Sequence, residues 1–216
     1  MVDTLKIFEY DKQFLTSEIK YIAGIDEVGR GPLAGPVVTA CVVMPYDNMI
    51  DGVFDSKKVT KRKREILFEE IKSKAISYSI TLEDVNVIDE INILNATKRS
   101  MENSFNSLSV KPDLLLVDAV KLNICSNEQA IIKGDATSYA IACASILAKV
   151  YRDRLMEDYA KIYPNYDFEN NVGYGTKKHI EGIKNFGVTP IHRLSFLGKI
   201  IGEDECKRIS LERKAK

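Results

Sequence analysis

The stretch from Tyr21 to Pro36, YIAGIDEVGRGPLAGP, constrains the fold more than any other part of the chain. A short apolar run ends in two adjacent carboxylates, Asp26 and Glu27, and the chain then turns through glycine and proline into VVTACVVM, residues 37–44. Two β-rich runs on either side of such a turn predict two strands. Acids at the end of a buried strand are costly unless something balances their charge. A further run, DLLLVD at 113–118, follows Pro112 and ends in Asp118. Its unbroken apolar character predicts a central strand buried on both faces.

The remaining elements follow from periodicity. AISYSIT at 75–81 alternates like a strand, and QAIIKGD at 129–135 reads as a strand or strand-like loop. Thr60 is placed to cap a helix over about 61–74 with Leu67, Ile71 and Ala75 on one face. A long helical pattern runs from about 84 to 108, with Val87, Ile91, Leu94 and Met101 set to face the core. Another runs from Ser138 to Tyr159 with Ala140, Ala144, Leu147, Tyr151 and Leu155 at steps of three and four. Residues 165–175 read as a loop, Thr176 caps a short helix to about Asn185, and the charged end from Gly202 reads as a loose helix or tail. Strands that cluster first and alternate with helices later predict an α/β domain, a mixed sheet flanked by helices. The expected division is an N-terminal segment at 1–20, a core at 21–160, and a small helical C-terminal part at 161–216.

Composition excludes several classes. No stretch of the 216 residues approaches the roughly 20 apolar residues that span a bilayer. The N-terminus has no apolar segment of a signal peptide, so a cytoplasmic protein without a membrane partner is expected. The four cysteines, Cys41, Cys125, Cys143 and Cys206, lack metal-site spacing and read as reduced, mostly buried thiols. Thirty-one basic residues cancel 31 acidic ones. Basic character is local, at Lys57–Arg64 and at Lys177-Lys178-His179.

The glycines of Gly29-Arg30-Gly31 and Gly35 suggest a phosphate loop, but a dinucleotide fingerprint needs a helix to open in that turn. Here Pro32 and Pro36 bracket it and a strand follows. The acids carry more. Asp26, Glu27 and Asp118 at strand ends build a concave cluster of negative charge that suits Mg²⁺ or Mn²⁺. Adjacent strand residues point to opposite faces, so Asp26 and Glu27 reach one site only if the backbone bends there, as Gly29 and Gly31 permit.

The run from Gly24 to Val38 resembles the signature of the type 2 ribonucleases H, the bacterial ribonuclease HII group. The resemblance continues through D55-S-K57, V117-D-A119, the block from Lys133 to Asp153, G173-Y-G-T176 and T189-P-I-H-R-L-S-F196, in the family's order. A sister group, ribonuclease HIII, carries an extra N-terminal domain for which the 20 residues before the motif are too few. The resemblance implies a ribonuclease H-like fold with a five-stranded mixed sheet and four acidic metal ligands. Three match Asp26, Glu27 and Asp118; the fourth is assigned to Asp135, with Asp153 as competitor. It further implies hydrolysis of the RNA strand of RNA–DNA hybrids and incision 5′ of single ribonucleotides in duplex DNA. Two Mn²⁺ or Mg²⁺ ions roughly 3.5–4 Å apart would assist, leaving 3′-hydroxyl and 5′-phosphate ends. Gly29, Arg30 and Gly31 are then expected to read the 2′-hydroxyl, and Tyr174 to pack on the following deoxyribose. Ser56, Lys57, Lys149, Thr176 and Lys177 are the expected phosphate contacts. His179 and His192 are expected to be structural. A monomer is expected, and no protein partner is implied.

Overall fold

The computed structural model of the chain describes residues 4–119 and 121–215. The first three residues of the N-terminal segment and the last of the tail lie outside these. In chain order the elements are α1 (Thr4–Lys12), β1 (Ile22–Val28), β2 (Val37–Val43), α2 (Lys61–Lys74), β3 (Ser77–Glu83), α3 (Val85–Asn106), β4 (Leu114–Asp118), β5 (Glu128–Ile131), α4 (Tyr139–Ile162), α5 (Phe168–Asn171), α6 (Lys177–Phe186), α7 (Gly198–Ile201) and α8 (Glu203–Lys214).

The strands form one sheet in the order β3-β2-β1-β4-β5. β1 pairs antiparallel with β2 and parallel with β4, which pairs parallel with β5. The mixed five-stranded sheet flanked by helices matches the expectation. Strand alternation divides its side chains. Ala23, Ile25, Cys41, Val43, Leu115 and Val117 pack on Met101 and Phe105 of α3. On the other face, Val38, Ala40 and Val42 join a core with Ala142, Cys143, Ile146 and Leu147 of α4 and with Leu67 and Ile71 of α2. A Cβ on Gly24 would lie 2.1 Å from the Ala140 carbonyl carbon, so α4 rests backbone on backbone against β1.

Two compact units divide the chain: Met1–Val28, Val38–Leu82 and Thr97–Tyr151 form the first, and Gly29–Val37, Glu83–Ala96 and Arg152–Lys216 the second. The second unit therefore takes in 29–37 and 83–96, which the sequence alone assigns to the core, and its C-terminal part starts at Arg152 within α4.

Local signals explain most element ends. Thr60 Oγ1 accepts from Lys63 N at 3.3 Å, and Thr176 Oγ1 from His179 N at 3.3 Å, so both expected caps form. Two expected stripes differ. α3 breaks at Asn92, whose φ is 66° and whose Oδ1 accepts from Leu94 N and Asn95 N as a new cap. The restart shifts the helical phase, leaving Leu94 43% exposed while Met101 is fully buried. In α4 the residues from Tyr139 to Ala148 are all buried, so no single stripe faces inward, and Tyr151 is exposed.

The N-terminal segment contributes a helix. Ile7 and Phe8 of α1 enter the core, and the Phe8 ring meets Tyr139 edge-on at 5.0 Å. Asp11, fully buried, accepts on Oδ2 from Tyr46 Oη at 2.8 Å, Ser138 Oγ at 3.0 Å and Ala140 N at 2.8 Å. It thereby caps the start of α4 from a distant part of the chain, satisfying N–H groups that a helix leaves open. Burial pushes its carboxyl up to about 6 despite these donors. In the second unit the charged end is a docked helix: Arg213 of α8 donates to the carbonyls of His192 and Thr189 at 3.0 and 2.8 Å, and Cys206 is buried.

Candidate active site

In the first unit, Ile25 and Val117 are the last matched pair of the parallel β1–β4 ladder. One residue further on each strand come Asp26 and Asp118. Matched register on neighbouring strands sends both to the same face, the one covered by α4. Asp26 lies opposite Ala40, whose side chain packs in the core with α4. Its carboxyl is pushed well above the usual range by burial first, then by the charges of Glu27 and Asp118, against a hydrogen bond from Ser145 of α4.

Glu27 is placed otherwise than the sequence suggests. The β1–β2 ladder continues unbroken through Glu27↔Thr39 and Val28↔Val38, so the backbone does not bend between the two acids. Glu27 shares a face with Thr39, whose hydroxyl bonds Ser100 of α3 at 2.8 Å. The turn comes afterwards, at Gly29 with φ 96°. A ladder hydrogen-bonded on this side holds its pleat regardless of the charge it carries.

Asp118 is fixed through Oδ1, which accepts from Gly134 N at 2.6 Å. The tight turn at Gly134–Ala136 that makes this bond also carries Asp135. Burial, then Asp55 and Asp118, push the half-buried Asp135 carboxyl up, while Lys57 pulls it down. Asp135 thus belongs to the same electrostatic cluster as Asp118. Asp153, the competitor, is buried in the second unit, where its charge acts on Arg152.

Ser56, an expected phosphate contact, is packed against α4. It is buried, its hydroxyl lies 3.0 Å from that of Ser145, and its carbonyl accepts from Arg64 at 2.8 Å. Ser56 therefore backs the serine that holds Asp26 instead of facing solvent. Lys57, the next residue, is exposed, with its N–H on Asp55 Oδ1 at 3.0 Å; Lys149 is half-buried on α4, one turn after Ser145.

Among the described residues no three histidine, cysteine, aspartate or glutamate side chains converge tightly enough to grip one metal ion. The chemistry of the donor set nevertheless fits a hard divalent cation. It offers carboxylate oxygens only, and their mutual repulsion is of the kind such a cation relieves.

The second unit holds the Gly29–Val37 turn. A Cβ on Gly31 would lie 3.4 Å from the Tyr174 ring, so these two expected substrate residues are neighbours; Tyr174 is 47% exposed. Leu33 N donates to Gly173 O and Gly35 N to Ile191 O, both at 2.8 Å. Arg152 and Arg193, both fully buried, donate into the same turn and were not singled out by sequence. Arg152 bonds the carbonyls of Pro36, Ala34 and Val172; Arg193 bonds those of Gly35, Arg30 and Gly29. Their surroundings, KVYRDRL for Arg152 and TPIHRLSF for Arg193, are polar enough that neither carries a local signal of burial.

The histidines form a buried chain. Thr189 N donates to His192 Nδ1 at 2.9 Å, so His192 carries its proton on Nε2 and donates to His179 Nε2 at 3.0 Å. His179 then donates from Nδ1 to the Tyr174 carbonyl at 2.9 Å. Both rings are neutral in this arrangement. Thr176 caps α6, and Lys177 is almost fully exposed, 3.9 Å from Glu181.

The ribonuclease H2 of Pyrococcus horikoshii OT3 matches this structure with a TM-score of 0.68 over 91% of this chain and 99% of that one, at 29% identity. Bst-RNase HIII, solved in complex with Mn²⁺, matches with a TM-score of 0.64 over 90% of this chain and 71% of that one; at 16% identity it shows the fold alone. Sheet order, flanking helices and these likenesses define a protein of the ribonuclease H class. The family description "Ribonuclease HII" matches residues 23–199. The Ribonuclease HII of Caldicellulosiruptor bescii is 53% identical over 195 residues, 90% of this chain and 95% of that protein. The chain belongs to the ribonuclease HII family and is an enzyme of the metal-dependent ribonuclease H type.

Proposed function

We propose that the chain hydrolyses the RNA strand of RNA–DNA hybrids and cuts on the 5′ side of single ribonucleotides in duplex DNA, leaving 3′-hydroxyl and 5′-phosphate ends. The observation that carries this reading is the pair Asp26 and Asp118, one step beyond the last matched residues of two parallel strands. With Asp135, and with Glu27 reaching the cluster from the other face of β1 at the strand end, where its charge already acts on Asp26, they form the ligand set for Mg²⁺ or Mn²⁺, in keeping with the Mn²⁺ of the structural relative. When bound, such ions lower the pKa of the attacking water and neutralise the leaving oxygen.

The chain's own residues orient the parts. Ser145 steadies Asp26, and the Gly134 N–H steadies Asp118. Lys57, Lys149, Thr176 and Lys177 contact phosphates, which sets affinity and register without reading sequence. Ser56, its hydroxyl on Ser145, supports Asp26 from behind. The Gly29-Arg30-Gly31 turn follows the acids directly in the chain and reads the ribose, the one sugar with a 2′-hydroxyl. Tyr174, whose ring borders Gly31, packs on the next deoxyribose. The enzyme acts as a monomer in the cytoplasm; among the described residues no helix is long and apolar enough to cross a membrane.

The test is a labelled duplex with one ribonucleotide, and a hybrid duplex, incubated with Mg²⁺, Mn²⁺ or EDTA. A single cut 5′ of the ribonucleotide with either metal, and none in EDTA, is expected. No cleavage of either substrate with both metals would remove the reading. Cleavage of the hybrid alone would remove its ribonucleotide half.

A further inference from the structure

The Gly29-Arg30-Gly31 turn poses a physical problem. A backbone that reads a sugar must present its N–H groups in one fixed direction. Yet glycine tolerates both signs of φ, so peptide planes next to glycine flip at little cost. Something other than local preference has to hold them.

Arg193 meets that need. Its three guanidinium nitrogens each take a different carbonyl of the same turn: Nη2 to Gly29 at 2.6 Å, Nη1 to Arg30 at 3.0 Å and Nε to Gly35 at 2.9 Å. A trans peptide is planar, with its N–H opposite its C=O. Drawing in the carbonyls of Gly29 and Arg30 therefore turns the N–H groups of Arg30 and Gly31 away from Arg193. A flipped plane would set an N–H against a guanidinium N–H, donor facing donor, and a guanidinium has no acceptor to offer. Lysine could not substitute, because one ammonium cannot hold three carbonyls in a planar fork.

The surroundings keep the fork in place. Arg193 is fully buried, and the Phe196 ring lies 5.3 Å from its guanidinium carbon. Burial and the neighbouring charge of Arg152 lower its pKa to about 9, so it remains charged at neutral pH. Arg152 closes the other end of the turn through Ala34 and Pro36 at 3.1 and 3.0 Å.

We propose that Arg193 is a specificity-determining positioning residue, which locks the peptide planes of Gly29-Arg30-Gly31 so that the turn discriminates ribose from deoxyribose. The inference rests on the reading of that turn as the one that faces the ribose. It assigns Arg193 no contact with substrate.

The experiment measures Kd by fluorescence anisotropy for a duplex with one ribonucleotide and for the same duplex in all-DNA form, with Ca²⁺ replacing Mg²⁺ and integrity checked on a gel. Wild type is compared with Arg193→Lys, Arg193→Gln and Phe196→Leu, each checked for a cooperative melt. In both Arg193 variants the ratio of the two Kd values should fall about tenfold, roughly one net hydrogen bond of discrimination. Affinity for all-DNA duplex should change less than about twofold, since phosphate contacts dominate it. Phe196→Leu, which leaves the arginine in place but loosens it, should show a smaller fall in the same direction. A folded Arg193→Lys with the wild-type ratio overturns the positioning role and leaves the turn's reading intact. If the Arg193 variants do not fold, an unchanged ratio in Phe196→Leu overturns it. A wild type without any ribonucleotide preference overturns the reading of the turn, and the inference with it.

Discussion

Asp26 and Asp118 occupy matching positions just past the last paired residues of two parallel strands, and burial together with the charges of Glu27 and Asp118 pushes the Asp26 carboxyl well above the usual range. Asp26→Asn keeps the shape and removes one charge. Cleavage should fall on the order of 10²–10³-fold, as when a charge-stabilising group is lost from an active site. The metal-free melting temperature should rise, because a repulsive buried charge has gone. Adding Mg²⁺ should raise the wild-type melting temperature and leave the variant's nearly unmoved. Thermal melts in EDTA and in Mg²⁺ check both statements.

Asp135 and Asp153 should separate cleanly. Asp135 shares its electrostatic environment with Asp118, whereas Asp153 acts on Arg152. Asp135→Asn is expected to lose most of the activity with little loss of stability. Asp153→Asn is expected to keep activity and melt at lower temperature, since it leaves a buried cation less well compensated. The reverse pattern in paired cleavage and melting assays would transfer the fourth ligand to Asp153.

Ser145 offers a test of support behind the acids. Removing its hydroxyl should weaken Mn²⁺ binding or activity about ten- to a hundredfold, the usual consequence of losing a group that orients a ligand. Ser56→Ala should have a weaker effect. The double variant should be no worse than Ser145→Ala, because Ser56 reaches Asp26 only through Ser145. Mn²⁺ half-saturation and calorimetric binding would reveal additive losses if the two serines acted separately.

The buried histidines predict a pH dependence of stability. Burial, the His179 ring and nearby Arg213 hold His192 down at about 3, and burial also lowers His179. Above pH 6.5, the ordinary histidine value, folded and unfolded chains both carry neutral rings, and the full stability is present. Below it the unfolded chain takes up protons that the folded pair refuses, so stability falls as pH drops toward about 3. Between pH 7 and pH 5 the His192 contribution amounts to about 2 kcal/mol. Urea unfolding should show the wild type losing that amount relative to His192→Asn, the raised carboxyls of Asp11, Asp26 and Asp135, which act in the opposite sense, being common to both chains.

Much of this was legible in the sequence because it depends on local chemistry. Thr60 and Thr176 announce their helices through a hydroxyl three residues before the N–H it accepts from. The run ending in Asp118 is apolar throughout because the strand is covered on both faces. What escaped depends on distance or on choices a side chain makes only in three dimensions. Asn92 lies inside an apolar periodicity that carries straight across it, and only its left-handed φ shows the helix restarting. The glycines after Glu27 permit a bend, but the β2 ladder holds the pleat until Val28, so the bend comes only after both acids. Arg193 looks like a surface base until the carbonyls 158 to 164 positions earlier are seen to surround it.

Asp11 carries a consequence for how the molecule is made. The residue that caps α4 is synthesised 129 positions before the N–H it accepts from. Ser138 caps Ile141 N locally, but the Ala140 N–H at the start of the helix bearing Ser145 is satisfied only after a very long loop has closed, an event that loop-closure entropy makes late. Until then the N-terminal helix waits on the nascent chain with half of its purpose missing. Shortening the chain at its beginning would therefore damage an element made more than a hundred residues later.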